Sequence, residues 1–253
     1  MLGKIIDSCD ISPEDIIFEI GPGIGGLTEA LAEKCGKVIA IEIDRNLIPV
    51  LEDSLSERNN IEIVNADVMK LDLNELIHKE AGETKVKFAA NLPYYITTPI
   101  IMNILEKRLQ VSSLTMMVQK EVGERMRAKP GSKDYGALTL AVAYYADCYL
   151  AANVPRNCFM PRPNVDSAVI KLTVLNKPKV EVNDEELFFR LIKAGFSQRR
   201  KTLVNCLSNS LNIDINKEKA IELIRLCGLP EDIRGEKLDI FAYALLANTL
   251  KSL

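Results

Sequence analysis

The sequence predicts an α/β protein, in which a mostly parallel sheet with helices on both faces is followed by a small all-α domain. Short apolar runs alternate with helical patterns through the first 176 residues, which is typical of a parallel sheet. The last two strand candidates are joined through a proline-rich loop and predict an antiparallel edge. Beyond a break at 176–179 the pattern becomes purely helical. We therefore expect an α/β domain at 1–176 and a helical domain at 177–253.

The individual elements follow from periodicity and from turn residues. The strand candidates are 16–20, 37–43, 61–64, 86–90, 114–118, 148–154 and 167–174. In the first domain, helical patterns cover 27–34, 47–55, 99–109 and 120–128, and an apolar helix follows a polar turn at 129–136. In the polar stretch 74–84, His78 is expected on a solvated helix. In the second domain they cover 184–194, 200–211, 217–227 and 238–250, with a helix stop at 228–230.

Composition restricts the possible chemistry. The 253 residues are 47% apolar and 26% charged, as in an ordinary globular protein, and the net charge is −3. The longest apolar run, 137–146, is too short to cross a bilayer, and the start does not resemble a signal peptide. The six cysteines are scattered and the one histidine is His78, which argues against a metal site and against Ser-His or Cys-His catalysis. We expect a cytoplasmic protein.

The N-L-P-Y segment at 91–94 ends the apolar run 86–90. Pro93 cannot donate a ladder hydrogen bond and biases Leu92 toward extended geometry. We therefore expect Asn91 and Leu92 to present an amide and a carbonyl at a rigid strand end, beside the ring of Tyr94. Such groups can hold an amine, although a proline-broken strand end before a helix has the same local pattern.

Three earlier strands end in residues suited to a nucleotide-like ligand. Gly21, Gly23 and Gly25 follow the first strand and let the backbone approach a ligand closely, ahead of a helix N-terminus. Glu42 ends the second strand and can accept hydrogen bonds from a ribose diol, and Asp67 follows the third and can accept one from an adenine amine. Ligands bind across the carboxyl ends of such strands, so the set predicts a cofactor that contains adenosine.

The glycine spacing also fits NAD, and three observations favour S-adenosylmethionine instead. The loop is preceded by Glu19 and contains Pro22, which stiffens it. The sequence has no second glycine-rich phosphate loop. The Asn-x-Pro-aromatic pattern at 91–94 has no role in hydride transfer but suits an amino group that accepts a methyl group.

Eight motifs spread over the chain resemble one known family, the small-subunit ribosomal RNA adenine dimethyltransferases of the KsgA type. They are E-I-G-P-G-x-G at 19–25, A-I-E-I-D at 40–44, N-A-D at 65–67, N-L-P-Y at 91–94, Q-K-E-V at 119–122, K-D-Y-G at 133–136, F-x-P-x-P-x-V-D-S at 159–167 and F-S-Q-R-R-K-T-L at 196–203. Several of them are unrelated to the general cofactor pattern, so the resemblance is specific.

The resemblance implies a class I S-adenosylmethionine-dependent methyltransferase with a Rossmann-like fold. It implies that the cofactor contacts Gly21, Glu42, Asp67 and Asn91. It further implies that a target adenine is held by Asn91, Leu92 and Tyr94, with Phe159 opposite. The family dimethylates two adjacent adenosines near the 3′ end of small-subunit rRNA during ribosome maturation, so the implied partner is rRNA within the immature small subunit, bound by a monomer.

The densest basic cluster is Arg199, Arg200 and Lys201, in the predicted helical domain. A charge run of this kind is commonly a solvated helix start. Beside an RNA-modifying site, we expect it to bind rRNA phosphates.

The chain departs from the family at its start. Members open with a basic block that ends G-Q-N-F-L, whereas Met1 here follows the position of that block. The family's block closes over the cofactor and contacts RNA, so we expect weaker cofactor binding and catalysis without it. Our hypothesis is that the sequence is a shortened form.

Two alternatives remain beside the small-subunit enzyme. An Erm-type large-subunit rRNA adenine methyltransferase would use the same chemistry on another RNA. A ribosome-assembly checkpoint factor would act mainly by binding immature subunits.

Overall fold

The computed structural model describes residues 2–160 and 162–253, and within them seven strands form one sheet. The strands are β1 (Ile16–Ile20), β2 (Lys37–Glu42), β3 (Ile61–Asn65), β4 (Val86–Ala90), β5 (Val111–Gln119), β6 (Ala146–Val154) and β7 (Ser167–Val174). Their order across the sheet is β3-β2-β1-β4-β5-β7-β6. The chain therefore runs outward from β1 to β3 at one edge, returns to β4 and β5, passes to β6 at the other edge, and ends with β7 inserted between β5 and β6.

Pairing is parallel from β3 to β5 and antiparallel between β5 and β7. Phe18 in the central strand β1 pairs with Ile39 on one side and with Phe88 on the other. In the antiparallel pair, Gln119 at the end of β5 faces Ser167 at the start of β7. The predicted fold class, a mostly parallel sheet with an antiparallel edge, is confirmed. The carboxyl ends of β1 to β4 consequently lie at one edge of the sheet.

Helices connect the strands and form the C-terminal region. Within the described residues they are α1 (Leu2–Ser8), α2 (Gly26–Ala32), α3 (Ile48–Ser54), α4 (Leu73–Ala81), α5 (Tyr94–Glu106), α6 (Lys120–Met126), α7 (Ala137–Tyr145), α8 (Glu185–Ser197), α9 (Leu203–Ser208), α10 (Lys217–Leu226) and α11 (Ile240–Ser252). Short 3-10 helices lie at Arg156–Cys158 and Gly235–Lys237. No described helix is both long and apolar enough to cross a bilayer.

Three helix starts differ from the sequence interpretation. Helix α1 was not predicted, because its seven residues are too few to show a clear period. Helix α5 begins at Tyr94 and not at Pro99, since Pro93 takes up φ −54° and supplies the residue before the first turn. Helix α9 begins at Leu203 because the Thr202 side chain accepts a hydrogen bond from the Asn205 N–H, so the predicted start at residue 200 was wrong.

The described chain divides into two compact units. The first contains the chain up to Gly123 together with Asp147–Leu175, and the second contains Glu124–Ala146 together with Asn176–Leu253. The sequence interpretation drew one boundary at residue 176 and therefore assigned 124–146 to the first domain. Helix α7 in this segment contacts α8 and α11, which is why it groups with the helices.

One hydrophobic core cluster of the first unit lies between the sheet and helices α1 and α2. Buried Ile5 and Ile6 of α1 pack with Leu27 and Leu31 of α2 and with Ile17 of β1. Burial of several such aliphatic side chains, each worth about 1.5–3 kcal/mol, holds both helices on this face. The sheet therefore offers a rigid support for the loops at its edges.

The second unit has an aromatic core. Tyr144 of α7 lies with its ring centroid 5.2 Å from that of Phe188 of α8. The fully buried Tyr243 of α11 donates its hydroxyl hydrogen to the Gly235 carbonyl at 3.1 Å. A buried phenol needs such a partner, so this bond ties α11 to the 3-10 helix before it.

Candidate active site

A cavity of about 500 Å³ lies at the carboxyl edge of the sheet. Its lining comes from the ends of β1, β2, β3 and β4 and from the start of α5, which are the positions that the topology predicts for a ligand. Six of the sequence-predicted site residues line it, namely Gly21, Gly23, Glu42, Asp67, Asn91 and Leu92. Volumes of this size are typical of sites for a small molecule or cofactor.

The glycine loop is held against the strand end that carries Leu92. Gly21 has φ +68°, and its N–H donates to the Ile41 carbonyl at 3.0 Å. A β-carbon on Gly21 would lie 2.6 Å from Cδ2 of Leu92. Only glycine meets both conditions, because any other residue would be strained at this φ and would displace Leu92.

Glu42 is buried and is oriented by backbone donors. Its Oε2 accepts a hydrogen bond from the Gly23 N–H at 3.3 Å, and its Oε1 accepts one from the Asp44 N–H at 2.8 Å. The Asn65 side chain donates to the Glu42 carbonyl at 2.9 Å and fixes the end of β2. An ionised carboxylate has about four acceptor positions, so the carboxylate retains capacity for ligand hydroxyl groups.

Asp67 lies beyond the end of β3 and is partly exposed. Its Oδ1 accepts a hydrogen bond from the Met69 N–H at 3.0 Å, which closes a short turn. Its Oδ2 lies 3.6 Å from the exposed Lys70 ammonium group. The turn holds the carboxylate in place at the wall of the cavity.

Asn91 and the Leu92 carbonyl remain available for a ligand. Within the described residues, the chain makes no hydrogen bond to the Asn91 side chain or to the Leu92 carbonyl. The next carbonyl, of Pro93, is in contrast occupied by the Thr97 hydroxyl at 3.1 Å and by the Ile96 N–H at 3.3 Å. Both residues line the cavity, so these polar groups are available to a ligand bound there.

The two tyrosines after Pro93 have different surroundings. Tyr95 is 83% exposed and lines the cavity, whereas Tyr94 does not. The Tyr94 hydroxyl lies 2.5 Å from Oγ of the fully buried Ser167, the first residue of β7. The sequence analysis singled out Tyr94 and not Tyr95, the ring that lines the cavity.

Two further predicted residues lie outside the cavity lining. Gly25 is the residue before helix α2, where its β-carbon would lie 3.2 Å from Leu51. Phe159 follows the 3-10 helix at Arg156–Cys158 and packs against the core cluster that contains α1. Pro161 of the motif at 159–167 lies outside the described residues.

Glu19 is a buried acid beneath the glycine loop that the sequence marked only as part of a motif. Burial raises the pKa of its carboxyl group to about 7; the Thr28 hydroxyl partly offsets this, and the charge of Glu42 adds to it. Its Oε2 has no hydrogen-bond partner. An acidic residue in the middle of an apolar strand was the available signal.

Apolar residues that form much of the cavity wall were also missed. They are Ile20, Ile41, Ile43, Val68, Met69, Tyr95, Ile96 and Ile100. Several of them directly follow a polar residue that was predicted. Reading one residue beyond each strand end would have found Ile43.

The basic cluster lies in the second unit, in the turn between α8 and α9. The Arg199 guanidinium donates to the Lys133 carbonyl at 2.7 Å and to the Tyr135 carbonyl at 2.8 Å. Arg200 and Lys201 are exposed. Arg199 therefore has a structural task that its neighbours do not share. Elsewhere in the described residues, no group of His, Cys, Asp or Glu side chains has an arrangement that would hold a metal ion.

The parallel sheet with β7 inserted antiparallel beside β5, and the cavity at the ends of β1 to β4, define a Rossmann-like methyltransferase fold. The sequence model of the family described as "Ribosomal RNA adenine dimethylase" matches residues 1–229. The chain belongs to this family, and the resemblance inferred from the motifs is confirmed.

Individual relatives agree with the family. The chain is 53% identical over 251 residues to a "Ribosomal RNA small subunit methyltransferase A" of Lachnoclostridium phytofermentans, covering 99% of this chain and 87% of the relative. A Clostridioides difficile protein of the same name is 48% identical over 252 residues, covering 100% of this chain and 86% of the relative.

Two solved structures are similar over almost the whole chain. A dimethyladenosine transferase from Plasmodium falciparum has a TM-score of 0.81 at 27% identity, covering 97% of this chain and 93% of that one. The 23S rRNA methyltransferase ErmE has a TM-score of 0.72 at 24% identity, covering 99% and 96%, and shares the fold.

Proposed function

We propose that this protein uses S-adenosylmethionine to dimethylate the exocyclic amines of two adjacent adenosines near the 3′ end of small-subunit rRNA. The observation that carries the proposal is the meeting of Gly21, Glu42, Asp67 and the unpaired Asn91 in one cavity. Its closely similar relatives are named as small-subunit rRNA methyltransferases. The reaction belongs to ribosome assembly in the cytoplasm, and a monomer acting on the immature small subunit is sufficient for it.

The residues of the cavity fit S-adenosylmethionine. The buried Glu42 carboxylate suits a ribose diol, and Asp67 suits the exocyclic amine of the cofactor's adenine. Side chains such as Ile43 and Met69 supply apolar surface for a flat base. The close approach of the Gly21 backbone leaves room that a side chain would remove. When bound there, S-adenosylmethionine supplies an activated methyl group on a sulfonium.

Asn91 and Leu92 are proposed to hold the amine that accepts the methyl group. An adenine amine is a weak nucleophile because its lone pair is delocalised into the ring. The Asn91 side-chain oxygen and the Leu92 carbonyl can accept its two hydrogens, which favours a pyramidal nitrogen and aims the lone pair into the cavity. Positioning of this kind can contribute ~7–11 kcal/mol at its upper limit.

No catalytic base is required by this proposal. The alkylated amine is acidic and can lose its proton to water after transfer. This agrees with the position of His78, which is exposed on α4, away from the cavity lining. After the first methylation the amine has one hydrogen left, so only one of the two acceptor contacts can form in the second round. The other contact must be dispensable in that round.

Aromatic side chains are proposed to hold the base outside its stack. Removing a base from its stack costs a few kcal/mol. Stacking on Tyr94 and Phe159 would offset this by ~1–3 kcal/mol per base. Arg199, Arg200 and Lys201, exposed in the second unit, are proposed to contact rRNA phosphates. Arg199 would do so in addition to its bonds with the Lys133 and Tyr135 carbonyls.

The decisive test is a labelled-methyl assay on immature small subunits, followed by mapping of the modified bases. We expect two methyl groups on each of two adjacent adenosines near the 3′ end of the rRNA. Transfer to naked large-subunit RNA and not to small subunits would identify an Erm-type enzyme. Tight binding to immature subunits without transfer would identify a binding factor and refute the catalytic proposal.

A further inference from the structure

The hydroxyl of Tyr94 is anchored to the sheet by a residue 73 positions away in the sequence. Its oxygen lies 2.5 Å from Oγ of Ser167, a distance typical of a strong O–H···O hydrogen bond. Ser167 is fully buried at the start of β7 and pairs with Gln119 of β5. Its side chain therefore has a fixed position, and the Tyr94 ring is held at its polar end as well as by its backbone.

The residue before Ser167 fixes the loop that carries Phe159. The Asp166 carboxylate accepts a hydrogen bond from the Arg156 N–H at 3.0 Å, which closes the loop between the two residues. The Asp166 carbonyl accepts one from the Lys120 N–H at 3.0 Å, which attaches the loop's end to α6. One dipeptide, Asp166-Ser167, thus anchors the Tyr94 hydroxyl and ties together the backbone on either side of Phe159.

We propose that Ser167 is a positioning residue for methyl transfer and acts by fixing the Tyr94 ring through their hydroxyl–hydroxyl hydrogen bond. This inference rests on the proposed function, because Tyr94 matters only if its ring receives a base. The hydrogen bond that fixes the ring needs both hydroxyl groups. Removal of either should free the ring to rotate and to take up orientations that do not stack, while the cofactor cavity, which neither residue lines, is unaffected.

A purely structural role would have a different signature. A buried hydroxyl left without its partner costs stability wherever it lies in the protein. A positioning role instead lowers kcat without raising KM for the cofactor, and it makes the effects of the two residues interdependent. The two roles are therefore separable by kinetics in a set of single and double variants.

The test compares Ser167→Ala, Tyr94→Phe and the double variant with the unmodified protein, in the labelled-methyl assay on immature small subunits. We expect each single variant to lose about tenfold in kcat with an unchanged KM for S-adenosylmethionine. The double variant should lose about tenfold and not about a hundredfold, since both changes remove the same hydrogen bond.

Ser112→Ala is the matched control. Ser112 lies on β5, and its hydroxyl donates to the Val86 carbonyl at 3.1 Å, so the variant also loses one serine hydrogen bond. It should keep the full rate. An NMR measurement gives a second readout that does not depend on activity. Tyr94→Phe identifies the ring-carbon signal of Tyr94 by abolishing it. Ser167→Ala should shift this signal, and Ser112→Ala should not.

Each remaining outcome contradicts the inference. An unchanged rate in Ser167→Ala, or a hundredfold loss in the double variant, would show that Ser167 does not act through Tyr94. Absence of transfer by the unmodified protein, with the family's N-terminal block added as well as without it, would refute the proposed function itself, and the inference would then fall with it. The two failures are distinguishable because only the second affects the unmodified protein.

Discussion

Cδ2 of Leu92 lies 2.6 Å from the point where a β-carbon on Gly21 would stand. The glycine loop after β1 and the polar strand end after β4 are therefore in direct contact through one methyl group. The space for a cofactor and the position of the acceptor groups are set by the same packing.

Gly21→Ala should lower affinity for S-adenosylmethionine by at least tenfold, because the backbone is strained at φ +68° and the Leu92 side chain, which lines the cavity, must shift. Isothermal titration measures the affinity. Gly82→Ala is the control and should keep the affinity, since Gly82 has φ +57°, nothing within 4 Å of its added β-carbon and no place in the cavity lining. Addition of Leu92→Ala to Gly21→Ala should recover part of the affinity, and no recovery would count against the packing explanation.

Asn91→Ala should reduce kcat for methyl transfer by about 10²-fold, the loss typical when one preorganised hydrogen-bonding group is removed. The thermal midpoint should stay within about 1 °C of the unmodified value, since within the described residues the Asn91 side chain makes no hydrogen bond. Steady-state kinetics and calorimetry check the two parts. A lower midpoint with unchanged kcat would assign Asn91 a structural role.

Glu19 should make stability depend on pH. Its folded-state pKa, about 7, lies above the ordinary 4.5, so its favourable contribution is complete below pH 4.5 and is lost as the pH rises through 7. Between pH 4.5 and pH 8 the unmodified protein should lose about 3 kcal/mol of unfolding free energy relative to Glu19→Gln. Urea unfolding of both proteins measures the difference. Glu52→Gln, at an exposed position on α3, should show no comparable change.

Replacement of Arg199 should affect protein stability, whereas replacement of Arg200 and Lys201 should affect RNA binding. Arg199→Ala should lower the unfolding free energy by about 1 kcal/mol, since it loses hydrogen bonds to the Lys133 and Tyr135 carbonyls. Joint replacement of Arg200 and Lys201 by Ala should leave stability unchanged and reduce the salt slope of RNA binding by about one to two. Filter binding at several salt concentrations gives the slope, and an unaltered slope would remove these two cations from the RNA surface.

Strand ends could be predicted from the sequence because the signal is local. An apolar run followed by Glu42, or by Asn91 and a proline, indicates where a strand stops, and parallel topology then gathers these ends at one edge. The cavity lined by Gly21, Glu42, Asp67 and Asn91 was accessible in this way.

Contacts between distant segments could not be predicted by the same reasoning. The Tyr94–Ser167 hydrogen bond joins a helix start to a strand start, and neither position has a pattern that refers to the other. The hydrogen bonds of Arg199 could not be predicted either. Its acceptors are backbone carbonyls of a distant turn, and every residue type has such a carbonyl. Such contacts depend on the packed structure and have no residue-specific signal.

In the proposed reaction, proline at position 93 would also influence which base the site accepts. The peptide between Leu92 and Pro93 has an acceptor oxygen and no hydrogen to donate. In the proposed reaction, adenine would give one amine hydrogen to this acceptor, whereas its deaminated counterpart, hypoxanthine, would present an oxygen at the same position. The lone pairs of the two oxygens would repel each other, and the Leu92 carbonyl would stay without a hydrogen-bond partner. Because the Leu92–Pro93 peptide has no N–H to donate, the site would thus reject the deaminated base before methyl transfer begins.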